Sequence, residues 1–237
     1  MSVIWHDLEC GAYTEDLPVW RALAARHGDP VLDIGAGTGR VTLDLAGAGH
    51  AVTALDADQE LLAELEDRAR ELDVVTVVAD ARSFDLGRRF ALCIVPMQTI
   101  QLLGGTPGRT AFLGCARRHL LDGGVLAIAV ADQLDLFEVP PGAPSLLPDV
   151  CEIDGVVYSS RPTAVRADGD GFVLERERQV VTVTGELSSE WDRIHLDRLD
   201  AAQLEREAAS AGLVPAGRTT IAATDEHVAT EVVTFGA

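Results

Sequence analysis

The stretch VLDIGAGTGR, residues 31–40, decides the fold of this chain. Val31, Leu32 and Ile34, interrupted only by Asp33, run into three glycines spaced two apart, Gly35, Gly37 and Gly39, and Arg40 follows. A short apolar run bounded by glycine reads as a buried strand. Glycines supply the left-handed backbone of a tight turn and let another group approach the main chain. A helix leaving such a turn starts with free amides, at the carboxyl end of a strand, where parallel sheets bind ligands.

Single residues narrow the ligand. A phosphate cradle of the P-loop type needs Lys-Ser/Thr after the last glycine, and Arg40-Val41 stands there. The dinucleotide fingerprint G-x-G-x-x-G needs glycine at position 40, so Arg40 argues against a nicotinamide oxidoreductase. Asp33 places a carboxylate beside the loop, which disfavours an anion and favours a cation. Asp56 ends the next expected strand, where an acid takes two ribose hydroxyls. Asp80 ends the third, where a carboxylate accepts from an exocyclic amine such as that of adenine. Three acids at three successive strand ends point to a nucleoside with a positively charged tail.

Outward from the loop, strand and helix patterns alternate. Expected strands are 31–34, 51–56, 74–80, 90–96 and 125–131, all short and rich in Val, Ile, Leu and Ala. Helices are expected at 17–28, 38–48, after Asp58 as N-cap, from Thr106-Pro107 onward, and at 201–211 behind the pair Asp200 and Gln203. The third of these would bury Leu61, Leu62, Leu65, Ala69 and Leu72, and the fourth Ala111, Phe112, Cys115 and His119. Residues 140–198 change texture, with PPGAPSLLP followed by three mixed-face strand patterns and the turn DGDG. A closing hairpin ends the sequence. The fold class is therefore α/β: a Rossmann-like, seven-stranded, mostly parallel sheet with helices on both faces and a small antiparallel β insertion after the fifth strand.

The 237 residues suit one domain, 1–237, with 1–29 as an N-terminal cap segment and about 140–198 as an inserted lid. The formal net charge is −19, and no lysine occurs. Such a balance repels phosphate backbones and anionic membrane surfaces, so neither nucleic acid nor membrane is expected as a partner. No apolar run is long enough to span a bilayer, and the first residues lack a secretory pattern. The cysteines, Cys10, Cys93, Cys115 and Cys151, form no C-x-x-C pair and read as buried free thiols of a cytoplasmic protein; no metal framework is expected.

In the order and spacing of VLDIGAGTGR, VTALDAD, VVADARSFDL, ALCIVPMQTIQLL and GGVLAIAV, residues 30–131 resemble the class I S-adenosylmethionine-dependent methyltransferases of the small-molecule type. The resemblance extends to AAQLEREAASAGLVPAG and the last hairpin, and is weaker over 1–15 and 140–198. It implies S-adenosyl-L-methionine as cofactor and transfer of its methyl to a nitrogen or oxygen of a small molecule, such as a natural product. By matching position it puts Asp33, Gly35 and Gly37 at the methionine part, Asp56 and Ala57 at the ribose, and Asp80 and Ala81 at the adenine. Val95, Pro96 and Met97 would line the methionine side, and Tyr13 and Trp20 would close over the cofactor. His195 and Glu190, in the insertion, are the candidate bases for a hydroxyl substrate; a neutral amine needs none. His119 reads as a core histidine. A cyclase or rearrangement enzyme that keeps the cofactor's methyl, or a binding module that retained the pocket, would show the same loop.

Overall fold

The computed structural model describes residues 3–132, 134–140, 146–224 and 227–237. In chain order the elements are α1 (Val3–Cys10), α2 (Leu17–His27), β1 (Val31–Ile34), α3 (Arg40–Gly47), β2 (Val52–Asp56), α4 (Gln59–Arg68), β3 (Val74–Val78) and β4 (Phe90–Val95). A 3-10 turn (Thr99–Leu102), α5 (Gly105–Arg118) and β5 (Leu120–Val130) follow. Then come β6 (Phe137–Glu138), β7 (Asp149–Ile153), β8 (Val156–Asp168), β9 (Gly171–Val181), β10 (Leu187–Asp197), α6 (Ala201–Ser210), β11 (Val214–Ile221) and β12 (Thr230–Gly236). The described chain divides into two compact units, one of residues 13–132 and 199–237, the other of residues 4–12 and 134–198.

The first unit is built on a seven-stranded sheet in the order β11-β12-β5-β4-β1-β2-β3. β3, β2, β1, β4 and β5 run parallel, and β12 and β11 close the sheet antiparallel. This is the expected Rossmann-like architecture. Alternation along the strands splits the core in two. Leu32, Ile34, Cys93, Val95 and Ile128 face α5 and α6 through Phe112, Leu113 and Leu204. Val31, Val52, Leu92, Ile94 and Ala127 face α2 and α3 through Trp20, Val41 and Leu45. Burying each large side chain of this kind contributes about 1.5–3 kcal/mol.

Local signals place the helix starts. Asp58 caps α4, accepting from the amides of Glu60 and Leu61. Asp200 caps α6 through the Gln203 amide at 2.6 Å, while the Gln203 side chain turns to Glu207 instead of completing a reciprocal box. Several expectations are corrected. α5 begins at Gly105, with Pro107 inside its first turn, and its buried face is Gly108, Arg109, Phe112, Leu113, Cys115 and Ala116, with Ala111 exposed. The helix ends at Arg118, because Leu120 already pairs with Phe90 at the start of β5 and leaves His119 as the C-cap. β3 stops at Val78, two residues short of Asp80. Only Cys93 and Cys115 are buried; Cys10 and Cys151 are half-exposed, and all four are free.

The second unit holds an antiparallel sheet in the order β10-β9-β8-β6, with β7 also paired to β8. Its register sorts the side chains. Ser160, Arg178 and Glu190 stand opposite one another, as do Arg166, Val173 and His195. One face carries Phe172, Leu174, Ile194 and Leu196 as a small apolar cluster, and farther along Arg176 and Arg178. Glu9 of α1 accepts from both Nε and Nη2 of Arg178, at 2.8 and 2.9 Å, and from the buried Ser160 hydroxyl at 2.7 Å. Trp5 of α1 meets the Tyr158 ring edge-on at 5.6 Å. The opposite face is a ladder of ion pairs, among them Arg161 with Glu177 and Arg193 with Glu175.

Candidate active site

β1 delivers Asp33 to the α2/α3 side of the sheet, in step with Val31. Its carboxyl is buried, and Oδ2 accepts from the Thr42 hydroxyl of α3 at 2.7 Å. Oδ1 is buried with no hydrogen-bond partner among the described residues. Burial pushes the Asp33 carboxyl up to about 7, against the pull of the Thr42 hydroxyl and the Arg40 charge, with Asp56 and Asp16 adding to the rise. The sequence presents Asp33 as a carboxylate beside the loop, within a strand read as buried. In the structure it is a buried acceptor whose charge is only partly held at neutral pH, because desolvation penalises the ionised form.

The loop glycines answer to the protein itself. Gly35, Gly37 and Gly39 have φ of +76, +56 and +95°, conformations that side chains resist. A Cβ on Gly35 would lie 2.5 Å from Cγ2 of Thr99, and one on Gly39 would lie 2.2 Å from Cδ1 of Leu65. The amides of Gly35 and Ala36 donate to the Leu55 carbonyl at 2.8 and 3.1 Å, Gly39 to Ala36 at 2.9 Å, and Gly37 to Asp56 Oδ2 at 2.8 Å. Loop amides expected to face outward are thus used in folding the turn back onto β2. What the site offers a ligand is mainly acceptors.

Asp56 ends β2. Its Oδ1 takes the Asp58 amide at 2.9 Å, so both oxygens are oriented by main-chain donors, and each keeps a second lone pair. Ala57, beside it, is exposed. Asp80 lies past β3, half-exposed, gripped by the Arg82 guanidinium and amide, which hold its carboxyl down at about 2. Ala81 is half-buried against the core. β4 ends at the buried Val95; Pro96 is buried, and Met97 is half-buried with φ of +54°. The Thr99 hydroxyl donates to the Pro96 carbonyl at 3.0 Å, so the segment after β4 and Gly35 are packed together through Thr99.

The two aromatic residues part company. Tyr13 is buried, its ring 4.5 Å from that of His227, and burial lifts its hydroxyl to about 12. Trp20 is a correction: it is 0% exposed in the α2/α3 core, its indole N–H donating to Asp16 Oδ2 at 2.8 Å, and presents no face to a ligand. His195 and Glu190 lie five residues apart on β10 and therefore point to opposite faces of the second sheet. His195 is 70% exposed on the ion-pair face, 3.6 Å from Asp168. Glu190 is on the other face, opposite Arg178. His119 is structural: its Nδ1–H donates to the Cys115 carbonyl at 2.8 Å, and Nε2 accepts from the Leu86 amide at 3.0 Å. It borders a shallow hollow with Arg88, Arg89 and Arg118 at the amino ends of β4 and β5, the opposite strand ends from the glycine loop.

Sequence reasoning missed Asp16, Thr42 and Thr99. Asp16 precedes Leu17-Pro18 and looks like an ordinary helix cap, yet its side chain makes no cap bond. Among the described residues no group of three or more His, Cys, Asp or Glu is arranged to hold a metal ion, and no helix is long and apolar enough to cross a membrane.

Comparison with known proteins shows what this chain resembles. Residues 31–124 match the family model described as a methyltransferase domain. The cypemycin N-terminal methyltransferase of a Streptomyces species is 33% identical over 108 residues, 46% of this chain and 44% of that protein. The chain thus matches less than half the length of that relative. Among solved structures, the sugar N-methyltransferase KedS8 from Streptoalloteichus sp ATCC 53650 has a TM-score of 0.73 at 22% identity, covering 98% of this chain and 91% of that one. CalS10 from Micromonospora echinaspora, an amino pentose methyltransferase solved with S-adenosylmethionine bound, has a TM-score of 0.72 at 19% identity, covering 99% and 97%. The fold is that of the class I S-adenosylmethionine-dependent methyltransferases, and residues 31–124, which hold β1 to β4 and the glycine loop, are the part that matches the methyltransferase-domain model.

Proposed function

We propose that this protein is an S-adenosylmethionine-dependent methyltransferase acting on an amine nitrogen of a small molecule. One observation carries the reading: beneath a glycine loop matched to a methyltransferase domain, the buried Asp33 Oδ1 has no donor among the described residues. A buried acceptor left unpaired costs about 1–3 kcal/mol, and an ammonium, directly or through a water, relieves that cost. The residues present fit the cofactor. Asp33 would serve its amino group, Gly35 and Gly37 would run along the methionine part, and Asp56 and Ala57 would face the ribose. Asp80 and Ala81 would serve the adenine, and Val95, Pro96, Met97 and Tyr13 would border the methionine side. When bound, the cofactor would supply an electrophilic methyl on a positively charged sulfur, with neutral S-adenosylhomocysteine as the group left behind.

Nitrogen is favoured over oxygen because an amine needs no strong base. His195 is mostly exposed, and Glu190 points to the other face of its sheet. Of the proteins named above, one is an N-terminal methyltransferase, one a sugar N-methyltransferase and one an amino pentose methyltransferase, which supports a nitrogen acceptor. The protein's share of catalysis is then orientation and exclusion of water, not covalent chemistry. We take the chain as one methyltransferase domain in which residues 1–29 are a cap and about 140–198 a lid that selects the acceptor. The net charge of −19 suits a cationic amine better than nucleic acid, and four free cysteines suit the cytoplasm.

Calorimetry tests the cofactor: one equivalent of S-adenosylmethionine binds and NADH does not. Mass spectrometry of amine acceptors then tests the transfer. A product heavier by one CH2 unit supports methylation; a product of unchanged mass would assign the chain to a cyclase or rearrangement on this scaffold.

A further inference from the structure

Arg40, the residue that breaks the dinucleotide fingerprint, is not among the residues proposed above to hold the cofactor. It is the first residue of α3, directly after Gly39. Its side chain is 11% exposed and reaches the segment that precedes α2. Nη1 donates to the Tyr13 carbonyl at 2.7 Å and to Asp16 Oδ1 at 2.6 Å; Nη2 donates to Asp16 Oδ2 at 2.8 Å. The guanidinium carbon also stands 5.2 Å from the centre of the Tyr13 ring. Asp16 is 2% exposed at its side chain and takes the Trp20 indole N–H as well.

Adhesion alone does not call for this arrangement. Trp20 and Leu45 already fasten α2 to α3 by apolar contact. A planar fork of charge-assisted bonds adds direction: it fixes where a carboxylate and a carbonyl sit relative to the guanidinium. One end of the fork adjoins the last residue of the glycine loop, and the other holds Tyr13 and Asp16 in the arm segment between α1 and α2. The loop's exit cannot shift without moving Tyr13 and Asp16.

We propose that Arg40 and Asp16 form a positioning latch that couples the arm segment Tyr13–Asp16 to the glycine loop, so that cofactor binding at the loop orders the arm. Neither residue touches the reacting atoms. The inference rests on the cofactor reading given above.

The test combines calorimetry with amide hydrogen exchange on the full chain, using S-adenosylmethionine and the variants Asp16→Asn, Arg40→Met, Arg40→Lys and Asp56→Ala. Asp16→Asn keeps shape and an acceptor for Trp20 while removing the charge. The latch predicts that Asp16→Asn and Arg40→Met each weaken cofactor binding about tenfold. Arg40→Lys, which keeps charge without the fork, falls between them and the unchanged protein. In the unchanged protein, saturating cofactor slows exchange at 13–20 and at 35–39; in Asp16→Asn and Arg40→Met it slows exchange only at 35–39. A structural staple would lower melting temperature without separating those two segments. Cofactor affinity and protection at 13–20 equal to those of the unchanged protein would overturn the latch. Asp56→Ala distinguishes the two ideas: if it alone loses binding, the loop reading stands and the latch falls; if it binds normally, the loop reading itself falls. Should Arg40→Met not fold, Asp16→Asn decides.

Discussion

At Asp33, stability and binding pull against each other. Its carboxyl ionises at about 7 in the folded chain against 3.8 for an unperturbed aspartate. The folded state therefore holds the proton more tightly than the unfolded state. The stability this confers is present in acid and is lost as pH rises from about 4 through 7. Asp33→Asn removes the cost of a buried charge while keeping an acceptor for Thr42. It is expected to raise stability at pH 8 by about 1–3 kcal/mol and leave it little changed at pH 4, in urea melts at both values. The same variant is expected to weaken S-adenosylmethionine binding at least about tenfold in calorimetry, since the amide's donor end clashes with an ammonium. Asp56→Ala should cost more than His195→Ala in the same measurement. Equal and negligible effects would remove the ribose assignment.

At the scale of elements, the β1-loop-α3 unit is held by contacts that glycine alone permits. Gly39→Ala would force a Cβ onto Leu65 of α4 at a φ of +95°. A loss of about 2–4 kcal/mol in chemical denaturation is expected, from strain and overpacking together. In the second unit, α1 is pinned by the Glu9–Arg178 pair, with both side chains under 10% exposed. Glu9→Ala leaves a buried guanidinium without its bidentate partner, although Asp192 remains 3.0 Å away. The expected loss is about 2–4 kcal/mol, seen as faster exchange in residues 156–197.

At the scale of the whole molecule, 38 acidic side chains face 19 arginines without any lysine. Self-repulsion of this excess opposes folding and is screened by salt. The melting temperature is expected to rise between 10 and about 200 mM sodium chloride, by calorimetric scan. A fall on adding salt would mean that the surface ion pairs of the second sheet outweigh the repulsion. Saturating cofactor is expected to raise the same transition, by mass action on the folded state.

The sheet was legible in the sequence because its signals are local. Short Val-rich runs punctuated by glycine and aspartate dictate strand, turn and capped helix within a few residues of each cue, as at Asp58 and Asp200. Glycines at 35, 37 and 39 announce a turn for the same reason. Ends were harder wherever pairing overrode pattern: residues 120–124 look like a helix stop but join β5, because β4 already offers an edge at Phe90. Partners distant in sequence were invisible. Whether Asp33 is an open charge or a buried acceptor depends on Thr42 and desolvation. What crowds Gly35 is Thr99, 64 residues later, and what the Asp16 carboxylate serves is Arg40 and the Trp20 indole rather than the amides of its own helix. The sequence by itself determined the parallel architecture and the place of the loop, since backbone preference and apolar period act over one element. Only the tertiary structure decided the charge state, the orientation and the partners of the site residues, since burial and electrostatics act through space.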